Sequence, residues 1–239
     1  MKTALAQCEA KLNQAAAAEK AARDELNQFV YAASHDLQEP LRAISAYAQL
    51  LQRKYADDPE SAELTGFVLD GANRMHSLIS SLLTYSRTST APRRTPMNLA
   101  VVVRWVMANL ANEIREAGGE VVCGDLPEAA IDESQFVQLF QNLFSNALKF
   151  RGEQPPRIVV SADEGEDGII VSVRDNGPGI APKYHAQIFE VFRRLHGRNI
   201  PGNGIGLALC RRIVHAHGGR IWVESDGSGG STFKFSIPF

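Results

Sequence analysis

From Leu5 to Ala33, apolar residues recur in alternating steps of three and four: Leu5, Cys8, Leu12, Ala15, Ala22, Leu26, Phe29 and Ala33. Polar and charged side chains fill the intervals, and Glu19 interrupts the seam. A heptad seam so narrow and so rich in alanine cannot hold a lone helix in water, so it demands a partner helix. Taken by itself, the earliest part of the seam reads equally as a generic coiled-coil linker.

The period then changes. The next apolar positions are Leu37, Leu41, Ile44, Ala48 and Leu51. The steps from Ala33 through Leu37 to Leu41 are two fours in succession, a stutter that locally unwinds a coiled coil. Pro40 falls in the same stretch, where it removes a backbone donor and is expected to kink the helix. His35 lies off the seam, about 200° around the helix from Ala33. Asp57-Asp58-Pro59 ends this helix and starts another, since Asp58 suits an N-cap and Pro59 the first helical turn. The second helix carries Leu64, Val68, Gly71, Met75, Leu78, Leu82 and Tyr85 on one face and should end near Arg87, where Thr88–Pro92 reads as a linker. Two helices with one apolar stripe each bury those stripes poorly, whereas two copies forming a four-helix bundle bury them well.

Composition narrows the function. The chain has 239 residues, of which 44% are hydrophobic, and a net charge of −2. That is room for one large domain or two small ones, with apolar content enough for a core, and no basic surface speaks for nucleic acid. Cys8, Cys123 and Cys210 are scattered singly, which makes neither a metal knuckle nor a disulfide frame and suits a reducing compartment. No apolar run reaches the roughly 18–20 residues of a membrane span, so no direct membrane insertion is expected. The N-terminus has no signal-peptide character. A cytoplasmic fragment of a longer, even membrane-bound, parent is the expectation.

The remaining residues alternate helices with hairpin strands. Asn98 caps a helix running through Val102, Val103, Val106 and Leu110 to a stop at Gly118-Gly119. Val121-Val122 reads as a short strand. Asp132 caps a helix to about Phe150, with Phe136, Leu139, Phe140, Leu143, Phe144 and Leu148 facing a core. Strands are expected at Arg157–Ala162 and Gly168–Arg174, a short helix after Pro182, a helix over Gly204–His217, and a last strand pair at Ile221–Glu224 and Thr232–Ile237. The fold class is thus α + α/β: a helical hairpin, then an α/β sandwich with a mixed sheet covered on one face.

Three polar features stand out in this second half. Asn142, Asn146 and Lys149 share one face of an otherwise apolar helix, beside Phe144 and Phe150. Buried amides in an apolar core are costly, so a ligand site fits better than a solvated face. Asp175-Asn176-Gly177-Pro178-Gly179 follows a strand directly. Alone it reads most readily as a turn, although a carboxylate beside two glycines can also accept a ligand's hydrogen bond at close approach. Gly202-Asn203-Gly204-Ile205-Gly206-Leu207 leads into a helix start, an arrangement suited to anions. It is neither a dinucleotide fingerprint nor a P-loop, because no parallel-strand unit precedes it and no Gly-Lys-Ser/Thr follows.

In this order, the motifs resemble the sensor histidine kinase family, from Phe29 to Phe239. Ser34–Arg42 is similar to its H-box and Asn142–Phe150 to its N-box. Asp175–Gly179 resembles its first Gly box, Ile188–Arg194 its F-box and Gly202–Leu207 its second Gly box. The H-box and the Phe192–His196 stretch look most like phytochrome-type two-component kinases. The resemblance implies an N-terminal signalling helix (1–28), a dimerisation and histidine-phosphotransfer hairpin (29–90), a linker (91–97) and a GHKL-type ATP-binding domain (98–239). It implies ATP and Mg²⁺ as cofactors. Its implied partners are a second copy of the chain, a response regulator receiver domain and a sensor domain upstream.

By the same resemblance, His35 is the phosphate acceptor and Asp36 orients or deprotonates its imidazole. Asp175 reads the adenine amino group, with Gly177 and Gly179 beside it. Asn146 ligates Mg²⁺, flanked by Asn142 and Lys149. Phe150 stacks near the base or ribose, and the Thr232 hydroxyl touches the base. Gly202, Gly204, Gly206 and Leu207 form the closing lid, where Arg193, Arg194, His196 or Arg198 balances phosphate charge. Related ATPases place a Glu where this chain has Asn142. An amide is no base, so hydrolysis is disfavoured and the phosphoryl group awaits a nucleophile. Of the other histidines, His76, His185, His196, His215 and His217 read as structural or solvated, the last two at a helix C-terminus where a cation is favoured. Glu39 stands where phosphatase-competent kinases often carry Thr or Asn. A response-regulator phosphatase with a regulatory nucleotide site is the alternative function.

Overall fold

The computed structural model describes residues 2–88, 92–195 and 202–239, with side chains at Gln14, Glu25, Gln28 and from Val30 onward. The seam side chains from Leu5 to Phe29, the linker residues Ser89, Thr90 and Ala91, and the lid residues His196 and Arg198 lie outside it. The chain divides into two compact units at Arg87/Thr88.

The first unit is a helical hairpin. Helix α1 spans Lys2–Lys54 and runs through Pro40 as one element, and α2 spans Pro59–Arg87. The Asp58 carboxylate accepts from the backbone N–H groups of Glu60 and Ser61 and from the Ser61 hydroxyl at the start of α2, so the cap forms where local chemistry places it. The packing differs from the expected single stripe per helix. Ser34, Leu41 and Ala48 are buried on α1, and Ala72, Ile79 and Ser86 on α2, with Leu41, Ala72, Ile79 and Leu83 in one cluster. Leu37, Ile44 and Leu51 remain about half exposed, as do Leu64, Val68 and Met75. The residues read as one stripe on α1 therefore split between two. Of those read as the apolar face of α2, the hairpin leaves Leu64, Val68 and Met75 uncovered and partly buries Gly71, Leu78, Leu82 and Tyr85. Each helix carries two heptad seams, and one chain can fill only one of them.

In the second unit, five strands form a mixed sheet in the order β2-β4-β5-β7-β6. These are β2 (Glu120–Cys123), β4 (Arg157–Gly165), β5 (Gly168–Asp175), β6 (Ile221–Glu224) and β7 (Thr232–Pro238). Only β2 and β4 pair in parallel. Helices α3 (Leu99–Asn109), α5 (Glu133–Lys149) and α6 (Gly206–Ala216) carry its core, with α4 (Ala111–Glu116) after α3. Phe136 and Phe140 of α5 pack edge-to-face on Phe235 of β7, with ring centroids 6.0 and 5.8 Å apart. On the other face of the sheet, Ser161, Arg174 and Glu224 are exposed, so a single helical layer covers it. Asn98 caps α3 and Asp132 caps α5, as their residue types demand.

Three expectations need correction. The stretch 91–97 is not all linker: Thr95–Asn98 forms β1 and pairs antiparallel with β3 (Glu128–Ile131). Neither strand has enough alternation to be legible locally, and each exists because the other satisfies its backbone. The helix from Asn98 breaks at Leu110, which leaves helical geometry (φ −101°, ψ 13°) while its side chain stays buried. The helix expected from Gly204 begins at Gly206, because Gly204 sits at φ +68°, in the left-handed region. Among the described residues, no helix is long and apolar enough to cross a membrane.

Candidate functional site

At the end of β5, the Asp175 carboxylate is fixed from two sides. Its Oδ1 accepts from the Gly177 N–H at 2.8 Å and from the Ser231 N–H at 3.2 Å. Burial pushes its carboxyl above its ordinary value, against the opposing pull of those two donors. Glycines let the backbone close around it. A Cβ at Gly177 would meet the Phe150 carbonyl oxygen at 2.8 Å, and one at Gly230 (φ +114°) would collide with the Asp175 carbonyl oxygen. The first Gly box thus touches the end of α5 and the turn before β7 at once. Gly179 packs on Gly227 and Ser228, and the Ile180 N–H donates to the Ser225 hydroxyl at 2.9 Å.

Asn142 and Asn146 are half-buried on the same face of α5. Asn142 spends its amide N–H on the Gln138 carbonyl (2.9 Å), so its oxygen turns outward. A Cβ at Gly206 would meet that oxygen at 3.0 Å. The second Gly box therefore starts α6 directly against the N-box. The F-box is tied in as well. Its Ile188 and Phe189 are buried, and the Phe192 N–H donates to the Gly204 carbonyl at 2.8 Å. Arg193 donates to the Gln187 side chain, and Arg193, Arg194 and Lys149 are exposed. Leu207 lies half-buried in the first turn of α6.

Thr232 departs from its expected place. Ser231, Phe233 and Phe235 are buried toward the helical layer, and strand alternation sends the Thr232 side chain to the outer face with Lys234. The residue at the Asp175 carboxylate is Ser231, through its backbone N–H. Sequence reading missed it and Gly230, because a backbone donor carries no residue-type signal. The run Gly229-Gly230 was the one hint. His217 is structural, the first of its two expected readings. It is buried, its Nε2 faces the Asp132 N–H at 3.1 Å and its Nδ1 faces the Ile213 carbonyl at 2.8 Å. That pattern is a neutral imidazole with the proton on Nδ1, and burial pushes its titration below the ordinary value. The cation favoured by a helix C-terminus gives way to desolvation.

In the hairpin, His35 is exposed, and its Nδ1 lies 3.7 Å from Asp36 Oδ1. The neighbouring Ser34 is buried in the interhelical stripe, which fixes the backbone while the imidazole stays in solvent.

Comparison with known proteins matches both units to families. Residues 25–91 match the His Kinase A (phospho-acceptor) domain, and residues 131–239 match the histidine kinase-, DNA gyrase B- and HSP90-like ATPase. The chain is a sensor histidine kinase catalytic core. The phytochrome-like protein Cph1 of Synechocystis is 42% identical over 90% of this kinase chain, which spans 29% of the length of Cph1. The structure of full-length ShkA in complex with AMPPNP is 27% identical, covers 89% of this chain and 46% of its own, and superposes with a TM-score of 0.71. The histidine kinase ThkA, solved in complex with the response regulator protein TrrA, shares the fold at 24% identity and a TM-score of 0.61, covering 88% of this chain and 61% of its own.

Proposed function

We propose that this kinase core binds ATP between its N-box and Gly boxes, phosphorylates its own His35 and passes the phosphoryl group to an aspartate of a response regulator. The observation that carries the reading is the exposed imidazole of His35 with Asp36 Oδ1 3.7 Å from its Nδ1. A carboxylate on that side favours the tautomer with the proton on Nδ1 and leaves the Nε2 lone pair for attack. As Nε2 bonds to the γ-phosphorus, the bond to the ADP oxygen breaks. Asp36 then stands ready for the Nδ1 proton, which has become acidic. Asp175 accepts from the adenine amino group, and the N–H groups at the start of α6 face the phosphates. The AMPPNP bound to the neighbour ShkA supports an adenine nucleotide as ligand. The ThkA–TrrA complex supports a regulator as partner.

Magnesium fits the donor set. Among the described residues, no cluster of three or more His, Cys, Asp or Glu could hold a metal. Magnesium held mainly by phosphates needs only one or two protein oxygens, which the Asn146 amide can supply. Bound there, it would neutralise phosphate charge.

The hairpin supports a homodimer. Leu37, Ile44, Leu51, Leu64, Val68 and Met75 form a second seam of large apolar side chains that a single chain leaves about half exposed. Incubation with γ-labelled ATP tests the reading. The label should be acid-labile, alkali-stable and absent from His35→Ala, and label persisting in that variant refutes His35 as acceptor.

A further inference from the structure

The surroundings of His35 on its own helix are acidic. Residues 31–39 read Tyr-Ala-Ala-Ser-His-Asp-Leu-Gln-Glu, with two carboxylates and no Lys or Arg. A phosphoryl group arriving at His35 adds negative charge beside Asp36 and Glu39, and like charges at such spacing repel. Arg42 is exposed on the same face two turns C-terminal to His35, but helical side chains lean N-terminally, so a cation on the side toward which the imidazole leans must come from elsewhere. On α2, the stretch from Met75 to Arg87 contains one Lys or Arg, which is Arg87 itself. Its guanidinium carbon lies 5.2 Å from the centroid of the Tyr31 ring. Tyr31 precedes His35 by four residues, so the two side chains share one face of α1, with Cβ atoms about 5–6 Å apart. Tyr31 is half exposed and His35 is exposed, so the stack and the imidazole stand on the same open side. Ser34 and Ser86, the chain neighbours of His35 and Arg87, are both buried between the helices. With those neighbours locked inward, His35 and Arg87 stand outside the hairpin about 13 Å apart along its axis, and because helical side chains lean toward their own N-terminus, in this antiparallel pair the two lean toward each other.

We propose that Arg87 is a positioning residue for the phosphoryl group at His35, held ready by its stack on Tyr31; this rests on the reading of His35 as acceptor. The long arginine stem can swing its fork from the ring to phosphoryl oxygens, where a planar guanidinium binds two at once. The transfer is otherwise unchanged: the bond from γ-phosphorus to the ADP oxygen breaks, the bond to the imidazole nitrogen forms, and the ring proton leaves. Arg87 gives and takes no proton. It offsets charge that Asp36 and Glu39 would otherwise repel.

The test labels the full 239-residue chain with γ-labelled ATP across ATP concentrations. Arg87→Met should slow labelling about tenfold at saturating ATP, the size of a lost charge-assisted hydrogen bond, with the KM for ATP within about twofold. Arg87→Lys should recover part of the rate. Tyr31→Leu should slow labelling about threefold and Tyr31→Trp should not, since an exposed cation–π contact is worth about that factor and Trp serves it best. Helix content and dimer mass should be unchanged in both Tyr31 variants. An Arg87→Met rate within about twofold of the parent overturns the proposal, the span already allowed for KM. Should Arg87→Met not fold, equal rates for Tyr31→Leu and Tyr31→Trp overturn it. Failure of the underlying reading looks different. The parent chain then takes no label, or His35→Ala keeps it, and the role of Arg87 falls with it.

Discussion

Replacing Asp175 by Asn separates a working site from a structural turn. The change keeps the shape and leaves Oδ1 able to accept from Gly177 and Ser231. It removes a carboxylate that burial holds above its ordinary value. The sign follows from that shift. A carboxyl with a raised folded value contributes stability that is fully present below its unfolded value and lost as pH rises through the folded one. At pH 7 the ionised group is therefore a cost, and without nucleotide the catalytic domain of Asp175→Asn should melt at or above the parent temperature. This advantage should vanish on acidification, as the parent carboxyl takes up its proton. Nucleotide binding should move the other way. Losing a charged acceptor costs about 2 kcal/mol, or about thirtyfold in Kd. At a nucleotide concentration of about 100 Kd, the stabilisation by ligand should fall from about 2.7 to about 0.9 kcal/mol. For a domain of this size that is a melting shift of roughly 8 °C shrinking to roughly 3 °C. Thermal melts with and without Mg²⁺–ATP read both effects in one assay. A variant that melts lower when empty, yet keeps the full nucleotide shift, would refute the reasoning and leave Asp175 as a structural turn carboxylate.

Gly206→Ala places a Cβ 3.0 Å from the Asn142 side-chain oxygen at a helix start that tolerates alanine. Melting should stay within about 2 °C, since alanine suits a helix, while nucleotide affinity falls about tenfold by titration calorimetry. Ile44→Glu with Val68→Glu puts charge into the uncovered seam. Each buried side chain there contributes about 1.5–3 kcal/mol and counts twice by symmetry, so light scattering should find monomers. His217, lowered by burial, contributes stability that is present above its ordinary value of 6.5 and lost as pH falls below it through the folded value. Urea midpoints of the catalytic domain should therefore drop on acidification below about pH 6.5, with a flatter profile in His217→Gln.

Local chemistry made much of this protein legible before any tertiary contact was known. Asp58, Asn98 and Asp132 cap helices wherever they stand, because a cap needs only its own side chain and the next backbone N–H groups. The spacing of Asn142 and Asn146 pointed to a ligand site and the glycines around Gly204 to an anion site for the same reason, whereas those after Asp175 read most readily as a turn. Other features depend on partners distant in the chain. Strands β1 and β3 exist only as a pair, and no period in either announces it. Register in β7 decides that Ser231 rather than Thr232 serves Asp175, since a step of one residue reverses the face. Packing divides the α1 apolar residues between a seam filled by α2 and one that α2 leaves uncovered. Burial, which no single residue encodes, makes His217 a neutral hydrogen-bonding core residue and not a solvated one. The sequence alone determined where helices begin and which polar groups are unusual. The tertiary structure decided which faces meet, because facing requires residues far apart in sequence to compete for the same volume.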